Sequence, residues 1–181
     1  MLVALMAFGL SFPTFKGPPP CPPDRYMACP DTHRLARNVG FQQALHRFVG
    51  EAHGAYLHGD KPLYGQVIQL ISTQVQPPKD LGGGAMLFAG CKFLSCPEKA
   101  AVIVDRYGVL AIGILNYRSG SDPDLDVIVR RPDAATPARA EILKTWAQSA
   151  VSKDSSLMHT AIILRKVRLR SLDAEEFAPR R

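Results

Sequence analysis

A chain of 181 residues with 46% hydrophobic and 21% charged residues has the balance of an ordinary globular protein. That excludes a disordered chain, a collagen-like chain and a polytopic membrane protein, and the length suits one domain with extensions. The formal net charge of +6 favours acidic partners but is too mild to indicate nucleic acid.

Residues 2–12, LVALMAFGLSF, form an uncharged apolar run of signal-peptide length, too short to span a bilayer. Gly9-Leu10-Ser11 offers a small-x-small cleavage site. No Lys or Arg follows Met1, so either the true start lies upstream or the run is not a signal; the competing reading is a buried N-terminal strand or helix. Residues 1–15 are therefore read as a signal peptide. Residues 16–38 are read as a proline-rich linker, because Pro18, Pro19, Pro20, Pro22, Pro23 and Pro30 interrupt any regular element.

The folded domain is expected over 39–172, with a charged tail at 173–181. Phe41, Ala44, Leu45, Phe48 and Val49 recur at helical spacing, which predicts a helix over 39–50 capped by Asn38 and stopped by Gly50 or Gly54. Residues 50–64 read as loop. Residues 66–75, QVIQLISTQV, are rich in β-branched side chains and end at Pro77-Pro78, which predicts a strand. Gly82-Gly83-Gly84 is a turn; no Lys-Ser or Lys-Thr follows, so it is not a phosphate cradle. Strands are expected over 85–89, 100–105, 109–117 and 126–130, with Arg106-Tyr107-Gly108 as a hairpin turn.

Thr136 is expected to cap a second helix with Pro137 in its first position, buried through Ile142, Leu143, Trp146 and Ala150. Val167, Leu169 and Ser171 alternate with Lys and Arg, which predicts a final strand with Arg165, Lys166, Arg168 and Arg170 on its outer face. The fold class is α+β: one domain, a largely antiparallel sheet and helices packed against it.

Chemistry-bearing residues are few. His46, His53 and His58 lie near one another in sequence, but Gly50 and Gly54 break the helix that would align them. Asp122, Asp124 and Asp126 alternate in SDPDLD without the glycine and terminal glutamate of a calcium loop, and read as a solvated loop. No catalytic, metal or cofactor set emerges, which favours binding over catalysis. The four cysteines fall as two close pairs, Cys21 with Cys29 and Cys91 with Cys96, as suits an oxidising compartment. Neither pair has the spacing of a zinc knuckle.

The most distinctive stretch is AMLFAGCKFLSCPEKAAVIVD, residues 85–105: a strand, a Cys-Lys-x-x-x-Cys loop, and a second strand. It resembles the inhibitor of vertebrate lysozyme (Ivy) family, whose signature is a C-K-P-H-D-C loop closed by a disulfide between two strands. The likeness covers roughly residues 40–150. It implies a periplasmic α+β binding protein without enzymatic activity or cofactor, often a homodimer, whose loop enters the cleft of a lysozyme. Cys91, Lys92 and Cys96 match the motif, while Phe93, Leu94 and Ser95 replace its Pro, His and Asp. The expected partner-binding loop is therefore Lys92, Phe93, Leu94 and Ser95, with an apolar tip suited to an apolar pocket. The implied partner is a lysozyme-like peptidoglycan hydrolase. The competing readings are an immunity-type protein against another cell-wall hydrolase, and an envelope domain that binds a ligand or serves structure alone. No nucleic acid and no membrane span in the mature chain are expected.

Overall fold

The computed structural model of the chain describes residues 21–57, 59–74, 76–117, 122–173 and 177. The expected signal peptide lies outside the described residues. A 3-10 helix, Pro23–Ala28, leads into α1 (Thr32–Arg37) and α2 (Val39–Val49). The short pair β1 (His53–Gly54) and β2 (Lys61–Pro62) precedes α3 (Leu63–Leu70). Then come β3 (Thr73–Gln74), β4 (Lys79–Gly82), β5 (Ala85–Lys92), β6 (Ser95–Asp105), β7 (Gly108–Asn116) and β8 (Asp124–Val129). The long α4 (Thr136–Met158) and β9 (Val167–Ser171) complete the domain.

The main sheet runs β3-β5-β6-β7-β8-β9, with β4 also paired to β5. Its pairings are antiparallel except β8–β9, which is parallel and connected across α4. The α+β expectation is met. Helices cover both faces. Phe41, Leu45, Leu63 and Val67 pack with Phe88, Val102 and Ile112 on one side. Leu143, Trp146 and Ala147 pack with Ala101, Ile103 and Val127 on the other. This double covering explains why the central strands read as continuous apolar runs, since residues pointing to either side enter a core.

Several expectations are corrected. Residues 21–37 are not a linker. Cys21, Tyr26, Cys29, Leu35 and Ala36 are buried in the core against α2. Asp31 caps α1 by accepting from the Arg34 amide, and Asn38 caps α2 by accepting from Phe41. Pro22 and Pro23 sit where helices tolerate them, Pro23 in the first turn of the 3-10 helix and Pro22 before it. Residues 66–70 belong to a helix, not a strand: Leu63, Val67 and Leu70 make one buried face, and Ile71 extends it. Gln66 is buried there because its amide serves four backbone groups. It accepts from Tyr56 and Leu57 and donates to Gly54 and Lys61.

Thr136 begins α4 as a helical residue instead of capping it. Its hydroxyl donates to Asp133 and accepts from the Asp133 amide. The tail expectation fails at Phe177, which is buried in the core on the α1–α3 side. Asp124 and Asp126 do not lie in a solvated loop. They are buried on β8, where Asp124 meets Arg165 and Arg168, and Asp126 meets Arg168 and Arg170. The arginines of β9 are thus partly neutralised from below, and the strand's apolar Val167 and Leu169 are exposed.

Candidate functional site

The hairpin of β5 and β6 carries the Cys-Lys-x-x-x-Cys loop. Its turn is two residues long, Phe93-Leu94, between the paired Lys92 and Ser95. Further down, Cys91 pairs with Lys99, so Cys96, Pro97 and Glu98 face no residue of β5 and form a bulge. Such a bulge needs ties beyond the ladder, because its backbone groups have lost their strand partners.

Three ties are present. Cys91 and Cys96 form a disulfide across the bulge, with their Cα atoms 4.9 Å apart. On the chain-entropy account, closing so short a loop stabilises by about 2 kcal/mol. Lys92 Nζ lies 3.1 Å from Glu98 Oε2. Lys99 donates to the Cys96 carbonyl. The second expected disulfide, Cys21–Cys29, also forms and joins the residues that flank the 3-10 helix.

The hairpin end is also held along β5, where β3 and α1 meet it. The Phe93 amide donates to Ser72 Oγ at 3.1 Å, and Thr32 Oγ1 donates to the Ala89 carbonyl at 3.1 Å. Gly90 permits this approach: a Cβ there would come within 2.7–2.8 Å of backbone atoms of Ile71 and Thr73. His33 Nδ1 stands 3.0 Å from the Ser72 carbonyl.

The tip itself is bare. Phe93 is 67% exposed and Leu94 is 91% exposed. Leu94 has φ of 63°, the left-handed region where Gly or Asn is usual. Ser95 is half-buried. Beside the loop, Cys96, Lys99, Trp146, Lys153, Asp154 and Leu157 line a cleft of about 220 Å³ between β6 and α4. The structure therefore gathers every residue of the expected loop into one protruding feature. Sequence reading missed Ser72, Lys99 and Asp154, which support it. Lys99 stands just outside the motif at the polar start of β6, and the other two lie remote from it.

The histidines are not gathered. His46 packs edge-on against Tyr64, and His53 lies 3.5 Å from Asp60 on the β1–β2 side. His58 lies outside the described residues. No three His, Cys, Asp or Glu converge as metal ligands among the described residues. No helix among the described residues is long and apolar enough to cross a membrane. No family model, curated protein or solved structure compared with the chain gives a match.

Proposed function

We propose that this protein is an exported, periplasmic binding protein that blocks a lysozyme-like peptidoglycan hydrolase by inserting the Phe93-Leu94 tip into an apolar pocket of its target. One observation carries the reading. Two large apolar side chains are exposed on a two-residue turn whose Phe93 amide is bonded to Ser72 and whose flanking bulge is closed by the Cys91–Cys96 disulfide and the Lys99–Cys96 hydrogen bond. An idle turn is ordinarily built from Gly, Asn, Asp or Ser. A pre-organised apolar tip loses little ordering entropy on docking, and each side chain is worth roughly 1.5–3 kcal/mol when buried. The two disulfides support an oxidising compartment.

The tip offers no side-chain donor or acceptor before Ser95, so recognition rests on shape and apolar burial and not on a bond to the target's acidic residues. The test is inhibition of a panel of purified hydrolases: vertebrate-type, goose-type and phage-type muramidases and a peptidoglycan amidase. The expected result is saturable one-to-one inhibition of at least one muramidase. Inhibition of the amidase alone would favour the immunity-type reading. Failure to bind or inhibit any of them, with the protein folded and oxidised, would contradict the proposal.

A further inference from the structure

Lys99 and Asp154 form an ion pair at the base of the loop, their side chains only 6% and 11% exposed. Lys99 Nζ donates to both carboxylate oxygens, at 2.8 and 2.7 Å, and also to the Cys96 carbonyl. An ammonium has three protons, so these acceptors use its whole capacity. Tyr117 donates to Asp154 Oδ2 at 3.3 Å. Burial, and then the Asp154 charge, push the Tyr117 phenol well up, so it stays a neutral donor at working pH.

A buried pair of this kind is weak evidence for stability, because well-packed apolar residues often replace one at no cost. What they cannot replace is a directed donor to the Cys96 carbonyl. That carbonyl sits in the bulge, where the β5–β6 ladder supplies no opposite residue. Asp154 belongs to α4, 55 residues further along the chain, so the ammonium ties the bulge to the helix on one face of the sheet. The Ser72 hydroxyl holds the Phe93 amide from the segment that leads into β3.

We propose that Lys99 and Asp154 are positioning residues of the loop: by fixing Cys96 against α4, the pair sets the direction in which Phe93 and Leu94 project and keeps the two sulfurs in bonding register. The partner-binding half of this claim rests on the function proposed above; the half concerning the sulfurs does not.

The experiment exchanges both residues together, Lys99→Met with Asp154→Leu, which leaves no buried charge unpaired. Three quantities are measured: the melting temperature, the equilibrium of the Cys91–Cys96 bond with dithiothreitol (read by alkylation and mass), and inhibition of the responsive hydrolase. The melting temperature of the oxidised variant is expected to stay close to the parent's. The disulfide is expected to open at roughly tenfold lower reduced-to-oxidised dithiothreitol ratio, equivalent to about 30 mV for a two-electron couple. Inhibition is expected to weaken about tenfold through faster dissociation.

An unmoved thiol equilibrium overturns the positioning role, whatever the hydrolase assay gives. A moved equilibrium in a protein whose parent inhibits no hydrolase upholds the positioning of the sulfurs and rejects the function proposed above. Should the Met–Leu variant fail to fold, Lys99→Met with Asp154→Asn, which leaves Tyr117 an acceptor, is read in the same way.

Discussion

Leu94 occupies a backbone conformation that costs an L-residue about 1–2 kcal/mol, and it places almost its whole side chain in water. Neither choice helps the fold. Asn tolerates the left-handed region through local hydrogen bonding, so Leu94→Asn is expected to leave stability unchanged or raise it by up to about 1 kcal/mol. The same change should weaken inhibition by at least tenfold, because the anchor loses its apolar end. Urea unfolding and an inhibition titration check the two halves. A loss of more than about 1 kcal/mol of stability would mean that Leu94 packs on its own sheet.

The elements around the loop show what the amino-acid sequence discloses and what it hides. The hairpin strands are legible because VIV and VLAIGIL are buried on both faces and bounded by turn residues. Residues 66–70 are not, because β-branched enrichment and the following prolines outweigh three apolar residues at helical spacing. The deciding contacts there are tertiary: Gln66 bonded to four loop groups and Val67 in the core. The loop is legible as a motif, while its supports at Ser72 and Asp154 come from the turn after α3 and from α4. The buried acids of β8 are equally hidden, since only the parallel return of β9 brings arginines onto them.

The start of α4 is open to a direct check. Asp133 accepts from the Thr136 hydroxyl, the Arg139 guanidinium and the Ala135 amide, and these hold its carboxyl below the usual range, Thr136 first. A carboxylate with a depressed folded-state pKa stabilises above its unfolded value and loses that contribution as pH falls through the folded one. Hydrogen exchange at the amides of residues 139–142, corrected for intrinsic rate, is therefore expected to accelerate between about pH 5 and pH 2. Asp133→Asn should abolish that pH dependence, and an unchanged profile in the variant would contradict it.

For the molecule as a whole, residues 21–37 belong to the domain they precede. Deleting 1–36 removes the buried Cys21, Tyr26, Cys29, Leu35 and Ala36 and one disulfide. Leu35 alone is worth about 2–5 kcal/mol on large-to-small precedent, and the disulfide adds about 2 kcal/mol. A chain beginning at residue 37 is expected to be unfolded or to melt far below the parent, because the loss rivals the 5–15 kcal/mol stability of a typical domain. Calorimetry of the truncated chain decides this; a melting temperature within a few degrees of the parent's would place the core elsewhere.

Two elements outside the hairpin reach it near the loop: the turn after α3 through Ser72, and α4 through the bond of Asp154 to Lys99. The most direct measurement of the proposed binding role is the double variant Phe93→Ser with Leu94→Ser, assayed side by side with the parent for unfolding free energy and for affinity toward the hydrolase that responds in the panel. The expected result is a stability within about 0.5 kcal/mol of the parent and an affinity about a hundredfold lower, on the order of 3 kcal/mol. A variant that loses about 3 kcal/mol of stability while its folded fraction still inhibits would contradict it.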